Sequence, residues 1–189
     1  CSLSVFAATN DETQVNENQG ITYSVDDENK TLTISGTGEM ENYDSNTPPL
    51  SSYRNSVTKI VIKDGVTSLG EYAFYNFIAL EKIEIPSSVK SIGYECFSNC
   101  TALEKIEIPS SVKSIGYACF SNCKSLKTVT IEEGCESIEN YAFYKCTALE
   151  KIEIPSSVKS IGYGCFSDCK SLKTVIIEEG CESIENYAF

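Results

Sequence analysis

The stretch from Ser114 to Phe143 returns almost unchanged at Ser160 to Phe189, and a shorter period of 23 residues runs inside it. Ser91, Ser114, Ser137 and Ser160 each open one unit. Within a unit the apolar positions fall as Leu103, Ile106, Ile108 and Val112, then Ile115, Phe120 and Cys123 of the next turn. A fixed period in the twenties is the mark of a solenoid, in which each unit buries its apolar face only against its neighbours. The expected fold is therefore mainly β: a right-handed solenoid of 23-residue units with parallel strands and short helical turns. Such an array offers a long repeated surface, which suits binding better than chemistry.

In the run LEKIEI, Leu103, Ile106 and Ile108 face inward and leave Lys105 and Glu107 outward on a short strand. The spacing predicts strands near 58–62, 81–85, 104–108, 127–131, 150–154 and 173–177, stacked about 4.8 Å apart into a parallel sheet. Pro109-Ser110-Ser111 turns the chain, and Val112 to Ile115 forms a second short extended piece. Cys119, Phe120 and Cys123 fall at i, i+1 and i+4, a spacing that predicts a single helical turn.

Ahead of the repeats the pattern changes. Residues 1–8 read as the remnant of a secretory signal, with Val5-Phe6-Ala7 or Phe6-Ala7-Ala8 at its cleavage site. A lipid-modified Cys1 is an alternative. Residues 9–19 read as a flexible linker. ITYSV (21–25) and TLTIS (31–35) alternate apolar and polar residues and predict a β-hairpin, part of an N-terminal cap over 20–56. Its acidic turn, Asp26-Asp27-Glu28-Asn29-Lys30, lacks the glycine and later glutamate of a calcium loop and reads as a solvated turn. Val57, Ile60, Ile62 and Val66 match Leu103, Ile106, Ile108 and Val112 at a distance of 46 residues. The repeats are thus placed at 57–189, with a degenerate first unit starting near Ser45. Phe189 falls in mid-unit, so further repeat sequence is expected beyond it.

Charge narrows the partners. Lys plus Arg total 15 against 27 Asp plus Glu, a net charge of −12. Such a surface repels phosphate backbones, so nucleic acid is not an expected partner. No stretch is long and apolar enough for a membrane-spanning helix. Histidine, the commonest general base and metal ligand, is absent. The glutamates Glu104, Glu107, Glu132, Glu133 and Glu136 recur with the period, whereas an active site must be singular. No catalytic residues, cofactor or metal are expected.

The ten cysteines invite a different reading. Cys96, Cys119 and Cys165 occupy a slot filled elsewhere by Ala73, Ala142 and Ala188. Cys135 and Cys181 stand where Val89, Val112 and Val158 stand, and Cys100, Cys123, Cys146 and Cys169 share a slot with Phe77. Residues exchangeable with Ala, Val and Phe act as small hydrophobes. Disulfides and a metal site are the other readings.

Two outward surfaces are candidates for a ligand. One is the pair of strand columns containing Lys82, Glu84, Lys105, Glu107, Thr128, Thr130, Lys151, Glu153 and Thr174. The other is a tyrosine column, Tyr94, Tyr117 and Tyr163, beside a second column of Tyr72, Tyr141 and Tyr187. The strand columns also fit a solvated sheet face, and the tyrosines also fit a cover over the core.

The run L-x-x-I-x-I-P-x-x-V-x-x-I-G-x-x-(A/C)-F-x-x-C, from Leu80 to Cys100 and again from Leu103 to Cys123, resembles the BspA-like, or Treponema-type, leucine-rich repeats. The resemblance covers about 57–189. It implies a secreted or cell-surface protein of gut or oral bacteria or of parasitic protists. It implies adhesion to host proteins or to other microbes. The function expected of the chain is a non-enzymatic binding module for a protein or glycan on a host or microbial surface, with a structural spacer projecting another domain as the alternative. No catalytic residues are shared across that family.

Overall fold

The structure, a computed structural model, describes residues 13–16, 20–46 and 50–189. The signal remnant expected at 1–8 lies outside the described residues. Two antiparallel pairings open the chain. Strand β1 (Thr13–Asn16) pairs with β2 (Ile21–Asp26), and β2 pairs with β3 (Thr31–Gly36). From β3 onward every pairing is parallel, and each rung contributes two strands. We number the rungs from zero. Rung 0 holds β3 and β4 (Gly38–Glu39), and rung 1 holds β5 (Lys59–Ile62) and β6 (Val66–Leu69). Rung 2 holds β7 (Lys82–Glu84) and β8 (Ser91–Ile92), and rung 3 holds β9 (Lys105–Ile108) and β10 (Ser114–Ile115). Rung 4 holds β11 (Thr128–Ile131) and β12 (Ser137–Ile138), and rung 5 holds β13 (Lys151–Ile154) and β14 (Ser160–Ile161). Rung 6 holds β15 (Thr174–Ile177) and β16 (Ser183–Ile184).

The six long strands of rungs 1–6 fall within one residue of the spans predicted by the spacing. Sequence alternation explains their faces. In β9, Ile106 and Ile108 are buried while Lys105 and Glu107 are exposed. The strand ends where Pro109 removes the next N–H donor. In-register pairing sets like on like, with Ile60 opposite Ile83 and Val129 opposite Ile106. The short strands β4, β6, β8, β10, β12, β14 and β16 form one unbroken seven-stranded sheet. The core between the two strand sides is a single apolar column running from Ile21 to Ala188.

The return path corrects one expectation. Residues 117–123 form no helical turn. Their N–H groups alternate between two directions. Cys119, Ser121 and Cys123 bond to carbonyls three residues back, whereas Ala118, Phe120 and Asn122 donate to Asn140, Ala142 and Tyr144 of the next rung at 2.7–3.0 Å. A helix keeps its hydrogen bonds within itself and has none to spare for a neighbour. The alternation is made by left-handed residues twice per rung. One series is Tyr72, Glu95, Ala118, Tyr141, Gly164 and Tyr187; the other is Asn76, Asn99, Asn122, Lys145 and Asp168. Asn and Asp tolerate that conformation better than most residues, which accounts for much of the second series.

These turns carry a second ladder inside. Phe74, Phe97, Phe120, Phe143, Phe166 and Phe189 stack ring on ring, with centroids 5.2–5.3 Å apart and planes within 17°. Stacked rings at this separation add attraction beyond the area they bury.

The N-terminal region also differs from expectation. The parallel array begins at β3, not near Ser45: Leu32 and Ile34 register with Ile60 and Ile62. The predicted hairpin is present as β2 and β3, but its second strand is itself part of a rung, which β4 completes by pairing parallel with β6. Thr13–Asn16, inside the stretch read as a linker, is a strand. The acidic turn is closed locally, Asp26 accepting from the Asn29 backbone N–H at 2.9 Å and its side-chain amide at 2.7 Å. These bonds hold the Asp26 carboxyl below the usual carboxylate range.

Candidate ligand-binding faces

The strand face is flat, exposed and charged. Lys82, Glu84, Lys105, Glu107, Thr128, Thr130, Lys151, Glu153 and Thr174 all point to solvent. Along the strands Lys82 pairs with Glu84 at 3.0 Å, Lys105 with Glu107 at 2.6 Å and Lys151 with Glu153 at 2.5 Å. Between strands, Lys59 reaches the same Glu84 carboxylate at 3.2 Å. Two cations on one carboxylate hold Glu84 below its ordinary pKa. Exposed pairs of this kind contribute well under about 1 kcal/mol each. They order the face more than they stabilise the fold.

The tyrosines give a less foreseeable result. The two columns, offset by one residue in sequence, merge into one continuous ladder: Tyr72, Tyr94, Tyr117, Tyr141, Tyr163 and Tyr187, at 4.9–5.7 Å between successive centroids. In rungs 1, 4 and 6 the tyrosine occupies the left-handed position itself; in rungs 2, 3 and 5 it precedes that position. The turn redirects the side chain so that both placements meet on one line. Tyr94 and Tyr117 lie face to face at 4.9 Å with planes 1° apart. From Tyr117 onward the successive contacts are edge-on. Tyr117, Tyr163 and Tyr187 are exposed, while Tyr72, Tyr94 and Tyr141 are half-buried.

Within this ladder lies a shallow recess of about 310 Å³ lined by Tyr141, Tyr144, Tyr163, Gly164, Asp168 and Tyr187. A Cβ on Gly164 would come within 2.7 Å of Tyr141 Cε1. The missing side chain is what allows that ring to rest there. Just outside, the Lys145 ammonium sits 4.8 Å from the centre of the Tyr144 ring.

Eight of the nine cysteines among the described residues face inward. Cys96, Cys100, Cys119, Cys123, Cys135, Cys146, Cys165 and Cys169 are buried free thiols, and Cys181 is half-buried. The slot shared with Phe77 has a polar feature that exchange patterns do not show. Cys100, Cys123, Cys146 and Cys169 donate their S–H to the carbonyls of Phe74, Phe97, Phe120 and Phe143 in the preceding rung, at 3.2–3.3 Å. Burial pushes the Cys123 thiol up to about 12 and the Cys135 thiol up to about 11. Thiols held neutral are poor nucleophiles. Alkylation of the native protein at mildly alkaline pH is expected to modify Cys181 and to spare Cys96, Cys100, Cys119, Cys123, Cys135, Cys146 and Cys165, whose thiols burial pushes up, until denaturant is added. Cys169, whose pKa is lowered by its hydrogen bond with Cys146, is the buried thiol expected to react first. Mass spectrometry showing rapid native modification at Cys123 or Cys146 would contradict this.

Among the described residues, no cluster of His, Cys, Asp or Glu has a metal-binding arrangement. No helix among them is long and apolar enough to cross a membrane.

Comparison with known proteins agrees with this geometry. No curated protein sequence matches the chain. Among solved structures, a leucine-rich cell surface protein of Faecalibacterium prausnitzii is 25% identical over 90% of this chain, with a TM-score of 0.58; the match spans 56% of that protein's chain. The leucine-rich repeat protein of Treponema pallidum superposes with a TM-score of 0.68 at 22% identity, over 87% of this chain and 83% of its own. The pneumococcal vaccine antigen PcpA superposes with a TM-score of 0.61 at 22% identity, over 89% of this chain and 50% of its own. The sequence model of the BspA type leucine-rich repeat region matches in six copies, over residues 51–139 and 95–189. With these matches spanning the whole parallel array from rung 1 onward, the chain belongs to the BspA-type leucine-rich repeat family.

Proposed function

We propose that this chain is a non-enzymatic adhesion module, secreted or held at a cell surface, that binds a protein or glycan on a host or microbial surface. The observation that carries the reading is the repetition of one exposed pattern in register. Lys105 and Glu107 return as Lys151 and Glu153 two rungs along, about 10 Å away at the spacing of parallel strands. A partner with its own repeated groups can engage both copies, and the second contact is then intramolecular and raises avidity without a strong single site. Family membership supports a binding or structural module, and the F. prausnitzii relative is itself described as a cell surface protein.

Purified chain is tested for binding to immobilised host-matrix proteins and to microbial cells. Charge reversal at Lys105 together with Lys151 is expected to weaken binding by more than either change alone, and binding is expected to fall with added salt, since exposed charges are screened within about 10 Å at 0.1 M. Loss of binding on changing Tyr94, Tyr117 and Tyr163, with the charge variants unaffected, moves the site to the tyrosine ladder. That second reading is favoured by the ladder's continuity over six rungs. Failure to bind any of these targets supports the spacer reading.

A further inference from the structure

We propose that the recess between rungs 4 and 6 is a sugar-binding site that takes one hexose-type ring of a neutral glycan. This rests on the reading of the chain as a binding module, but it uses a face other than the strand columns.

The first argument comes from the two near-identical copies, 102–143 and 148–189. They differ at three positions only: Ala118 against Gly164, Asn122 against Asp168, and Thr130 against Ile176. Two of the three, Gly164 and Asp168, line this recess. One change removes a Cβ that would meet the Tyr141 ring carbons at 2.7 and 2.9 Å. The other turns a neutral amide into a carboxylate. Drift spread evenly over 42 residues has no reason to place two of three changes around one recess.

The second argument is the posture of the rings. At rung 3, Tyr117 lies flat against Tyr94, and each covers a face of the other. At rung 5, Tyr163 meets Tyr141 and Tyr187 edge-on, with planes 71° apart in both pairs. An edge-on pair covers one ring face where a stacked pair covers two, and Tyr163 and Tyr187 are both exposed. A bare tyrosine face suits the C–H face of a pyranose, which is apolar and of similar width.

The third argument is charge. A sugar's hydroxyls both donate and accept, so its site needs groups of both kinds. The Asp168 carboxylate only accepts, the Lys145 ammonium only donates, and the tyrosine hydroxyls do either. Asp168 forms no ion pair among the described residues, yet it is near enough to favour the charged form of Lys145 after the stronger effect of Tyr144. A cationic ligand would meet Lys145, already placed over Tyr144 at 4.8 Å, and an anionic one would meet Asp168. A neutral polyol meets neither penalty.

The test uses the full chain and saturation-transfer NMR with the methyl glycosides of glucose, galactose, mannose, fucose and N-acetylglucosamine. At least one is expected to receive saturation and to shift tyrosine ring signals. Gly164→Ala and Asp168→Asn, which restore the residues of the other copy, are each expected to weaken it about tenfold. Thermal unfolding checks that both variants fold, and Tyr163→Ala serves if Gly164→Ala does not. The Lys105→Glu, Lys151→Glu double variant is expected to keep glycoside binding, so the recess and the strand face fail or succeed separately. The proposal is overturned if no glycoside binds the folded protein, or if binding is indifferent to all three recess variants. It is also overturned if a lysine-rich peptide binds the recess and the glycosides do not.

Discussion

Phe120→Ala is expected to cost about 3–5 kcal/mol, the usual range for emptying a buried phenylalanine site. The ring is fully buried and stacks on Phe97 and Phe143 at 5.3 Å on either side. Rungs touch only their neighbours, so the loss falls on the two interfaces that join the N-terminal rungs to the C-terminal ones. Urea unfolding should therefore shift to lower denaturant and also broaden, as the two halves begin to melt separately. A transition that shifts without broadening would show that the ladder does not couple the rungs.

Gly134→Ala is expected to cost about 3 kcal/mol, the upper range for a strained backbone position. Gly134 has φ +129, and a Cβ there would lie 2.2 Å from the Ser110 carbonyl oxygen of the preceding rung. That oxygen belongs to a stacked backbone and has little room to give. The same slot holds serine at 88, 111 and 157, in rungs whose turn is Pro-Ser-Ser rather than Glu-Glu-Gly, and none of those serines has positive φ. The cost thus belongs to the turn type and not to the slot. Changing Glu132, Glu133 and Gly134 together to Pro, Ser and Ser should recover most of the loss. Recovery will be incomplete because Glu133 accepts hydrogen bonds from Ser156 and Ser157 of the next rung at 3.0–3.1 Å. Thermal or urea unfolding of both variants checks the pair; a triple variant no better than Gly134→Ala would refute the turn-type account.

The reach of sequence reasoning differs along the rung. Strand positions were legible because alternation and burial are local: once Ile106 and Ile108 face inward, Lys105 and Glu107 have one direction left. The candidate strand face was legible for the same reason. The start of the array was not, because β3 resembles any hairpin strand until its parallel partner β5 is known. Burial was read correctly for the cysteines from Cys96 to Cys169, since exchange with Ala, Val and Phe reports size and polarity, while Cys181 is half-buried. Their bonds to the phenylalanine carbonyls were invisible, because the acceptor is backbone and lies 26 residues away.

The 23-residue period by itself determined that like residues stack on like, which faces are core, and that the surface is a repeat of one pattern. Only the tertiary structure decided how the return path turns. Residues 117–123 have a spacing that suits a helix, yet the N–H groups of Ala118, Phe120 and Asn122 are claimed by the next rung, and left-handed residues twice per rung make that possible. The same turns bring Tyr94 and Tyr141, which belong to different columns of the repeat, onto one ladder. A positive φ swings the side chain to a new direction without changing its place in the sequence. Periodicity records place and not direction, so the ladder and its recess emerge only when the rungs are stacked.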